Sequence, residues 1–334
     1  MSAGEAPAEG AARARRDEVL GALVEAGEAG VSGEVLAERL GCSRAAVHRH
    51  VEAIRRAGTP VVGLAGGYRL GPEADPVVPA LVAPRLAPPL AGPLEWLPTT
   101  GSTNDDVLAR ARDGAPEGLV IGADHQGAGR GRRGRQWITS PGDALLLSAL
   151  LRPRVAPVDA GLLPIVAAVG VARAIGDAAR IVWPNDILLG AHKVAGILCE
   201  MSADQEQVAW AVVGVGVNVR GAPALGDARW SAGSLAAAGD ARRRPEVLAD
   251  LLAGLGWAYR DWLDAGPSGV LAEFARRDAL EGRGVTVLAG ERRIEGTCAG
   301  LDELGRLRVR GALGEEALGA GEVTRVEGIG PGPG

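Results

Sequence analysis

The sequence predicts a multidomain protein of mixed α and β structure, and three observations carry that expectation. A helical stripe, a helix-turn-helix pair and a short hairpin succeed one another over residues 15–70. Residues 99–280 alternate strand-like and helix-like runs, and residues 281–328 change to short strands broken by glycine. The 334 residues leave room for two or three domains. Hydrophobic residues at 47% supply a core, which must be built from Leu, Val and Ala because aromatics reach only 3%.

Residues 1–14 are rich in Ala, Gly and Glu and are expected to be disordered. From Asp17 a helical pattern begins, with Val19, Leu20, Leu23 and Val24 on one face. Ser32 reads as the N-cap of a second helix ending at Gly41, and Ser43 as the cap of a third that Gly58 stops. In the third, Val47, Val51 and Ile54 recur at helical spacing and face the core. Val61–Leu64, a turn at Ala65-Gly66-Gly67, and Tyr68–Leu70 read as a β-hairpin. Helix, helix-turn-helix and hairpin is the order of a winged helix. Arg44, Ala45, His48 and Arg49 lie off the core stripe near the start of the third helix, where a recognition helix meets base edges. The alternative use is a winged helix that contacts protein.

Residues 71–98 hold eight prolines, the mark of a semi-rigid linker or an irregular lead-in to the next domain. Leu145–Leu151 and Val208–Val217 read as buried strands, and Gly161–Ala179 as a helix. Val247, Leu251, Leu255, Tyr259 and Trp262 form a further helical stripe. Beyond Gly284, strands at Val285–Leu288, Arg293–Cys298 and Leu307–Val309 suggest a small all-β barrel, and residues 328–334 a Gly/Pro tail.

The net charge of −5 argues against a protein coated in nucleic acid, although a local basic patch can hide within an acidic total. No apolar run reaches the length of a membrane helix, and residues 1–14 lack the apolar stretch of a secretory signal, so a cytoplasmic protein without a membrane partner is expected. Cys42, Cys199 and Cys298 are too scattered for a disulfide framework, and the histidines have no zinc spacing.

Scarce residues point to the chemistry. Lys193 is the only lysine among 36 basic residues, and Asn104, Asn185 and Asn218 are the only asparagines. A chain this biased to Arg keeps a lysine where a compact ammonium is needed. Residues 124–137 place four arginines among four glycines, a loop whose guanidinium forks suit a carboxylate or phosphate. Its Gly129-x-Gly131-x-x-Gly134 lacks the strand–turn–helix setting of a dinucleotide fold, and is discounted. If Gly190-Ala191 is a two-residue turn, Leu188 sits opposite Lys193, and Asp186 is its diagonal neighbour on the same face. A metal-holding carboxylate beside an ammonium suits phosphoryl or nucleotidyl transfer; a plain surface ion pair is the other reading.

Ser102-Thr103-Asn104, the Gln126–Trp137 loop, Trp183-Pro184-Asn185-Asp186, Lys193–Leu198 and Gly214-Val215-Gly216-Val217-Asn218 together resemble the biotin–protein ligases, in that family's order. Gly319–Val323 is similar to a strand of the family's C-terminal barrel, and the winged helix to that of its bifunctional members, which also repress the biotin operon. The resemblance implies a class II aminoacyl-tRNA-synthetase-like α+β catalytic domain and an SH3-like C-terminal barrel. It implies biotinyl-5′-AMP formation from biotin and ATP with Mg²⁺, then transfer of biotin to a lysine of the biotin carboxyl carrier protein of acetyl-CoA carboxylase. Operator DNA and a homodimer formed on adenylate binding are the further partners implied.

Residue by residue, the resemblance assigns Ser102, Thr103, Asn104 and Gln126 to biotin, and Arg130, Gly131 and Arg132 to a loop that closes over it, with Arg130 and Arg132 neutralising the biotin carboxylate and the α-phosphate. Trp137 would stack on adenine, Asn185 and Asn218 would bond phosphate or purine, and Asp186 would help hold Mg²⁺. Lys193 would span the biotin carboxyl and the α-phosphate. Lipoate–protein ligases share the catalytic fold, but their Arg-Arg-x-x-Gly-Gly-Gly segment is absent here. A biotin-sensing repressor without ligase activity is the remaining alternative.

Overall fold

In the computed structural model, which describes residues 5–204, 206–223 and 230–328, the chain opens with a long helix, α1 (Glu5–Ala26). Disorder was expected over residues 1–14; from Glu5 onward the chain is instead helical, while residues 1–4 lie outside the described residues. Alanine, the strongest helix former, dominates this stretch, and Pro7 falls in the first turn where it is tolerated. There follow β1 (Val31–Ser32), α2 (Gly33–Arg39), α3 (Arg44–Arg56), β2 (Val61–Leu64) and β3 (Gly67–Leu70). The Ser32 and Ser43 hydroxyls accept from Val35 N and Ala46 N, capping α2 and α3 as expected. Val47, Val51 and Ile54 join Val19, Leu20, Leu23 and Leu36 in one small core.

The Pro-rich segment is a packed bridge between two cores. Val78 points into the N-terminal core and its neighbour Val77 into the main one, where Val82 and Leu90 follow. A short helix, α4 (Pro79–Val82), and β4 (Leu94–Leu97) lead into the middle of the chain.

That region contains α5 (Thr103–Arg112), β5 (Val120–Ala123), β6 (Ala144–Leu151), α6 (Leu163–Ile175), β7 (Ala179–Val182), β8 (Asp186–Leu189), β9 (His192–Ala203), β10 (Val208–Asn218), β11 (Ser231–Ala232), α7 (Arg244–Ala265) and α8 (Pro267–Arg277). The strands form one mixed sheet in the order β4-β5-β6-β10-β9-β8-β7, with β11 parallel to β9. Helix α6 is shorter than expected, because Pro164 sets its start and Gly176, at φ 132°, its end. The α7 stripe of Val247, Leu251, Leu255, Tyr259 and Trp262 is buried as its spacing predicts. Helices α6, α7 and α8 cover one sheet face, and α5 packs Val107 and Leu108 against Ile121, Leu150 and Val212 on the other.

The chain ends in a five-stranded antiparallel sheet of β12 (Gly284–Ala289), β13 (Arg292–Leu301), β14 (Leu307–Gly311), β15 (Gly314–Leu318) and β16 (Glu322–Val326), ordered β15-β14-β13-β12-β16. Of the expected tail, residues 329–334 lie outside the described residues.

A buried ionic cluster fixes the N-terminal unit to the sheet. Arg244 donates to Asp75 Oδ1 at 3.0 Å and to Asp124 Oδ1 at 2.9 Å, and Arg16 of α1 reaches Asp124 Oδ2 at 3.1 Å. Burial works against the Arg244 charge, but the Asp124 and Asp75 carboxylates outweigh it and hold its pKa above the ordinary value.

Candidate functional site

The Gly-Val-Gly-Val-Asn run of β10 creates a cavity by strand alternation. Val213, Val215 and Val217 enter the core under α6 and α7, which leaves Gly214, Gly216 and Asn218 on the face that carries α5. A Cβ on Gly214 would lie 2.1 Å from Asn104 Oδ1, and one on Gly216 2.5 Å from the Trp137 ring. Gly196 of β9 is under the same constraint, its Cβ position lying 2.9 Å from Trp137. The glycines thus make floor space for two side chains that wall the cavity, whose volume is about 210 Å³.

Every residue assigned above to biotin or ATP lines this one cavity: Ser102, Thr103, Asn104, Gln126, Arg130, Gly131, Arg132, Trp137, Asn185, Asp186, Lys193 and Asn218. Leu188 pairs with Lys193 across the Gly190-Ala191 turn, as the sequence predicts. The diagonal contact is made: Lys193 Nζ lies 2.6 Å from Asp186 Oδ1. The Trp137 ring lies beside them, with Nζ 5.5 Å from its centroid.

The arginine loop crosses over the cavity as an ordered hairpin-like turn. Gly131 N donates to Arg135 O at 2.7 Å, Trp137 N donates to Gly129 O at 2.9 Å, and Arg133 occupies the left-handed region at φ 57°. Each arginine is held differently. Arg130 Nη2 pairs with Asp105 at 2.6 Å and Glu200 at 2.9 Å. Arg132 donates to Asn185 Oδ1 at 3.1 Å; burial lowers its pKa and the Asp186 charge offsets this in part. Arg133 and Arg135 reach Glu322 of β16, at 3.4 and 2.7 Å, so the C-terminal sheet grips the loop from outside.

Asn185 spends its amide within the protein, accepting from Arg132 and donating to Ile197 O at 2.9 Å. Asn218 donates to Gly233 O at 2.9 Å, while its buried Oδ1 has no partner among the described residues; the same holds for Trp137 Nε1. Orphaned polar atoms in a cavity are what a polar ligand satisfies.

At the other end, Gln126 Oε1 accepts from Thr103 N at 2.7 Å and lies 3.1 Å from Thr103 Oγ1. Thr103 Oγ1 meets Ser148 Oγ at 2.8 Å, and Asn104 Nδ2 donates to Glu200 at 2.7 Å. The sequence reading singles out neither Ser148 nor Glu200, and takes in Glu322 only as part of the Gly319–Val323 strand motif. The one usable signal was Ser148, a lone hydroxyl within Leu145-Leu146-Leu147-Ser148-Ala149-Leu150-Leu151. Burial pushes the Cys199 thiol beside them up to about 12, which disfavours its thiolate. Arg44, Ala45, His48 and Arg49 lie apart from the cavity, all four exposed on α3.

Residues 96–218 match the Biotin/lipoate A/B protein ligase family and residues 15–69 an HTH domain. The bifunctional ligase/repressor BirA of Bacillus subtilis is 33% identical over 262 residues, covering 75% of this chain and 80% of that protein. The biotin–[acetyl-CoA-carboxylase] ligase of Paracoccus denitrificans is 35% identical over 241 residues, covering 68% of this chain and 98% of its own length. The Aquifex aeolicus biotin protein ligase, solved in complex with biotin and ATP, superposes with a TM-score of 0.60 at 27% identity, over 69% of this chain and 97% of that one. Fold and site therefore define a ligase catalytic domain joined to an N-terminal helix-turn-helix domain. The chain belongs to the biotin–protein ligase family, and it carries a helix-turn-helix domain ahead of the ligase domain.

Proposed function

We propose that this protein forms biotinyl-5′-AMP from biotin and ATP, transfers biotin to a lysine of a biotin carboxyl carrier protein, and represses transcription in response to biotin. The observation that carries the reading is the Lys193–Asp186 pair beneath the arginine loop, in a cavity where Asn218 Oδ1 and Trp137 Nε1 have no partner among the described residues.

In the first half-reaction a biotin carboxylate oxygen attacks the α-phosphorus of ATP and pyrophosphate leaves. In the second, an acceptor ε-amine attacks the acyl carbon, AMP leaves with the acyl–oxygen electron pair, and the amine loses a proton. Both steps gather negative charge at the shared oxygen and the α-phosphate. Lys193 stands where it can bridge these, and Arg132 adds a half-buried positive charge whose position is set by Asn185. The loop over the cavity keeps water from the mixed anhydride. Trp137 offers its ring to adenine, and Thr103 with Gln126 meets the cyclic urea.

Asp186 is the one carboxylate among the described residues lining the cavity. Magnesium is usually held by one or two carboxylates together with nucleotide phosphates, so a single Asp fits it. When bound, it neutralises the phosphate charge.

We take residues 15–70 as the winged-helix unit, 71–98 as its connection, 99–280 as the catalytic domain of class II synthetase type, and 281–328 as an SH3-like barrel. A homodimer formed on adenylate binding would bring two α3 helices to a palindromic operator in the cytoplasm.

Pyrophosphate–ATP exchange with biotin, lipoate or neither tests the ligase. Biotin-dependent exchange is expected; tight biotin binding without exchange would leave a sensor alone.

A further inference from the structure

Ser148 is fully buried in the middle of β6, on the sheet face that carries α5. A hydroxyl there must have its hydrogen assigned, and the surrounding chemistry assigns it. Asn104 Nδ2 faces Glu200 Oε2 at 2.7 Å and Leu198 O at 3.5 Å. A carboxylate and a carbonyl only accept, so the amide nitrogen must be the atom that faces them. Asn104 Oδ1 therefore points to Ser148 Oγ, at 2.6 Å, and takes the serine's one hydrogen. Ser148 has only lone pairs left for Thr103 Oγ1 at 2.8 Å, so the hydrogen between them belongs to Thr103. Gln126 Oε1, at 3.1 Å, is the only other acceptor near that hydroxyl among the described contacts, and it already takes Thr103 N–H. Thr103 spends its hydrogen inside the protein and presents lone pairs to the cavity.

We infer that Glu200 and Ser148, acting through Asn104, are positioning residues that fix the Thr103 hydroxyl as a hydrogen-bond acceptor, so that this corner of the cavity selects a ligand N–H. The inference rests on the reading that a cyclic urea sits at Thr103 and Gln126, and it adds the source of that subsite's polarity. Two features hold the chain of bonds rigid. Gly214 lets Asn104 lie flat on β10, and Arg130 Nη2 at 2.9 Å holds the Glu200 carboxylate. The second contact comes from the arginine loop, so the polarity is fixed with the loop in place.

The test pairs variants with a ligand probe: biotin against its cyclic carbamate isostere, in which the ureido N–H opposite Thr103 is an oxygen. Pyrophosphate exchange gives KM and kcat for each. The wild-type protein should prefer biotin by about a hundredfold or more, since an acceptor facing an acceptor leaves both unpaired. Ser148→Ala removes the nearer of the two internal acceptors, so that the Thr103 hydrogen keeps only the longer contact to Gln126 Oε1, an oxygen already taken by Thr103 N–H, and can turn toward the cavity. The preference should then fall about tenfold, with the KM for biotin raised and kcat within about threefold. Glu200→Ala, at a half-buried position, repeats the measurement should Ser148→Ala fail to fold. Glu200→Gln keeps one acceptor oxygen and should retain more of the preference than Glu200→Ala. A preference unchanged in folded Ser148→Ala or Glu200→Ala overturns the inference. Absence of biotin-dependent exchange in the wild type is a different result, and overturns the ligase reading itself.

Discussion

Lys193 Nζ lies 2.6 Å from Asp186 Oδ1, and the two are unequally exposed, the lysine side chain at 27% and the carboxylate at 4%. Both line the cavity; the ammonium is the more accessible partner, and the more deeply set carboxylate aims it. Lys193→Gln should remove the charge yet keep an N–H donor for Asp186, so the fold survives. Adenylation should drop by about a hundredfold or more, the scale of losing one aligned donor on developing charge. Pyrophosphate exchange measures it, with a thermal melt to confirm folding. Near-normal exchange in the variant would remove Lys193 from the chemistry.

Gly216 and Trp137 make a second testable pair. A Cβ at residue 216 would lie 2.5 Å from the indole, so even Gly216→Ala must push the ring off the sheet. The KM for ATP should rise about tenfold, as expected for one lost aromatic contact, while biotin binding at the Thr103 end changes little. Equal losses for ATP and biotin would mean that the substitution collapses the cavity as a whole.

What could be read in the sequence was local. The Gly190-Ala191 turn fixed the Leu188–Lys193 register, and serine caps with apolar spacing fixed α2 and α3. Residues made visible by long-range contact were not legible. Asn104 and Glu200 are 96 positions apart, and Asp75 and Arg244 are 169 apart. Nothing in the neighbourhood of either carboxylate marks it in the chain. The Pro-rich segment gave an ambiguous signal for a different reason. Its buried residues, Val77, Val78, Val82 and Leu90, follow neither period because the backbone there is mostly irregular.

The exposed start of α3 is the DNA face on the proposed reading, and salt dependence tests it without knowledge of the operator. Arg44 and Arg49 are exposed, whereas Arg55 donates to Val61 O at 2.8 Å and also bonds Glu52. If Arg44 and Arg49 each neutralise a phosphate, replacing both by Ala should shrink the slope of log K against log salt by about 1.8 on a duplex of any sequence. Replacing Arg55 should leave that slope nearly unchanged. A double variant with the wild-type slope would move DNA binding off α3.

Two half-buried aspartates should make the protein lose stability as pH rises through the weakly acid range. Burial pushes Asp17 up to about 6, against the lowering effect of Arg16 and Arg13, and pushes Asp278 up to about 6 despite a hydrogen bond from Leu280 N. Each has a buried carboxylate oxygen without a partner among the described residues, Oδ1 in Asp17 and Oδ2 in Asp278. A raised folded-state pKa means that the folded chain holds a proton the unfolded chain has released. The stabilisation is complete below the unfolded value near 4 and is lost as pH climbs past about 6. Both groups are partly solvated, so each accounts for about 1 kcal/mol rather than the full shift. Asp17→Asn and Asp278→Asn should therefore match the wild type in urea unfolding near pH 4.5 and exceed it by about that amount near pH 7.5. A constant gap between variant and wild type across that range would mean the carboxyls keep ordinary pKa values, with any stability change coming from altered packing.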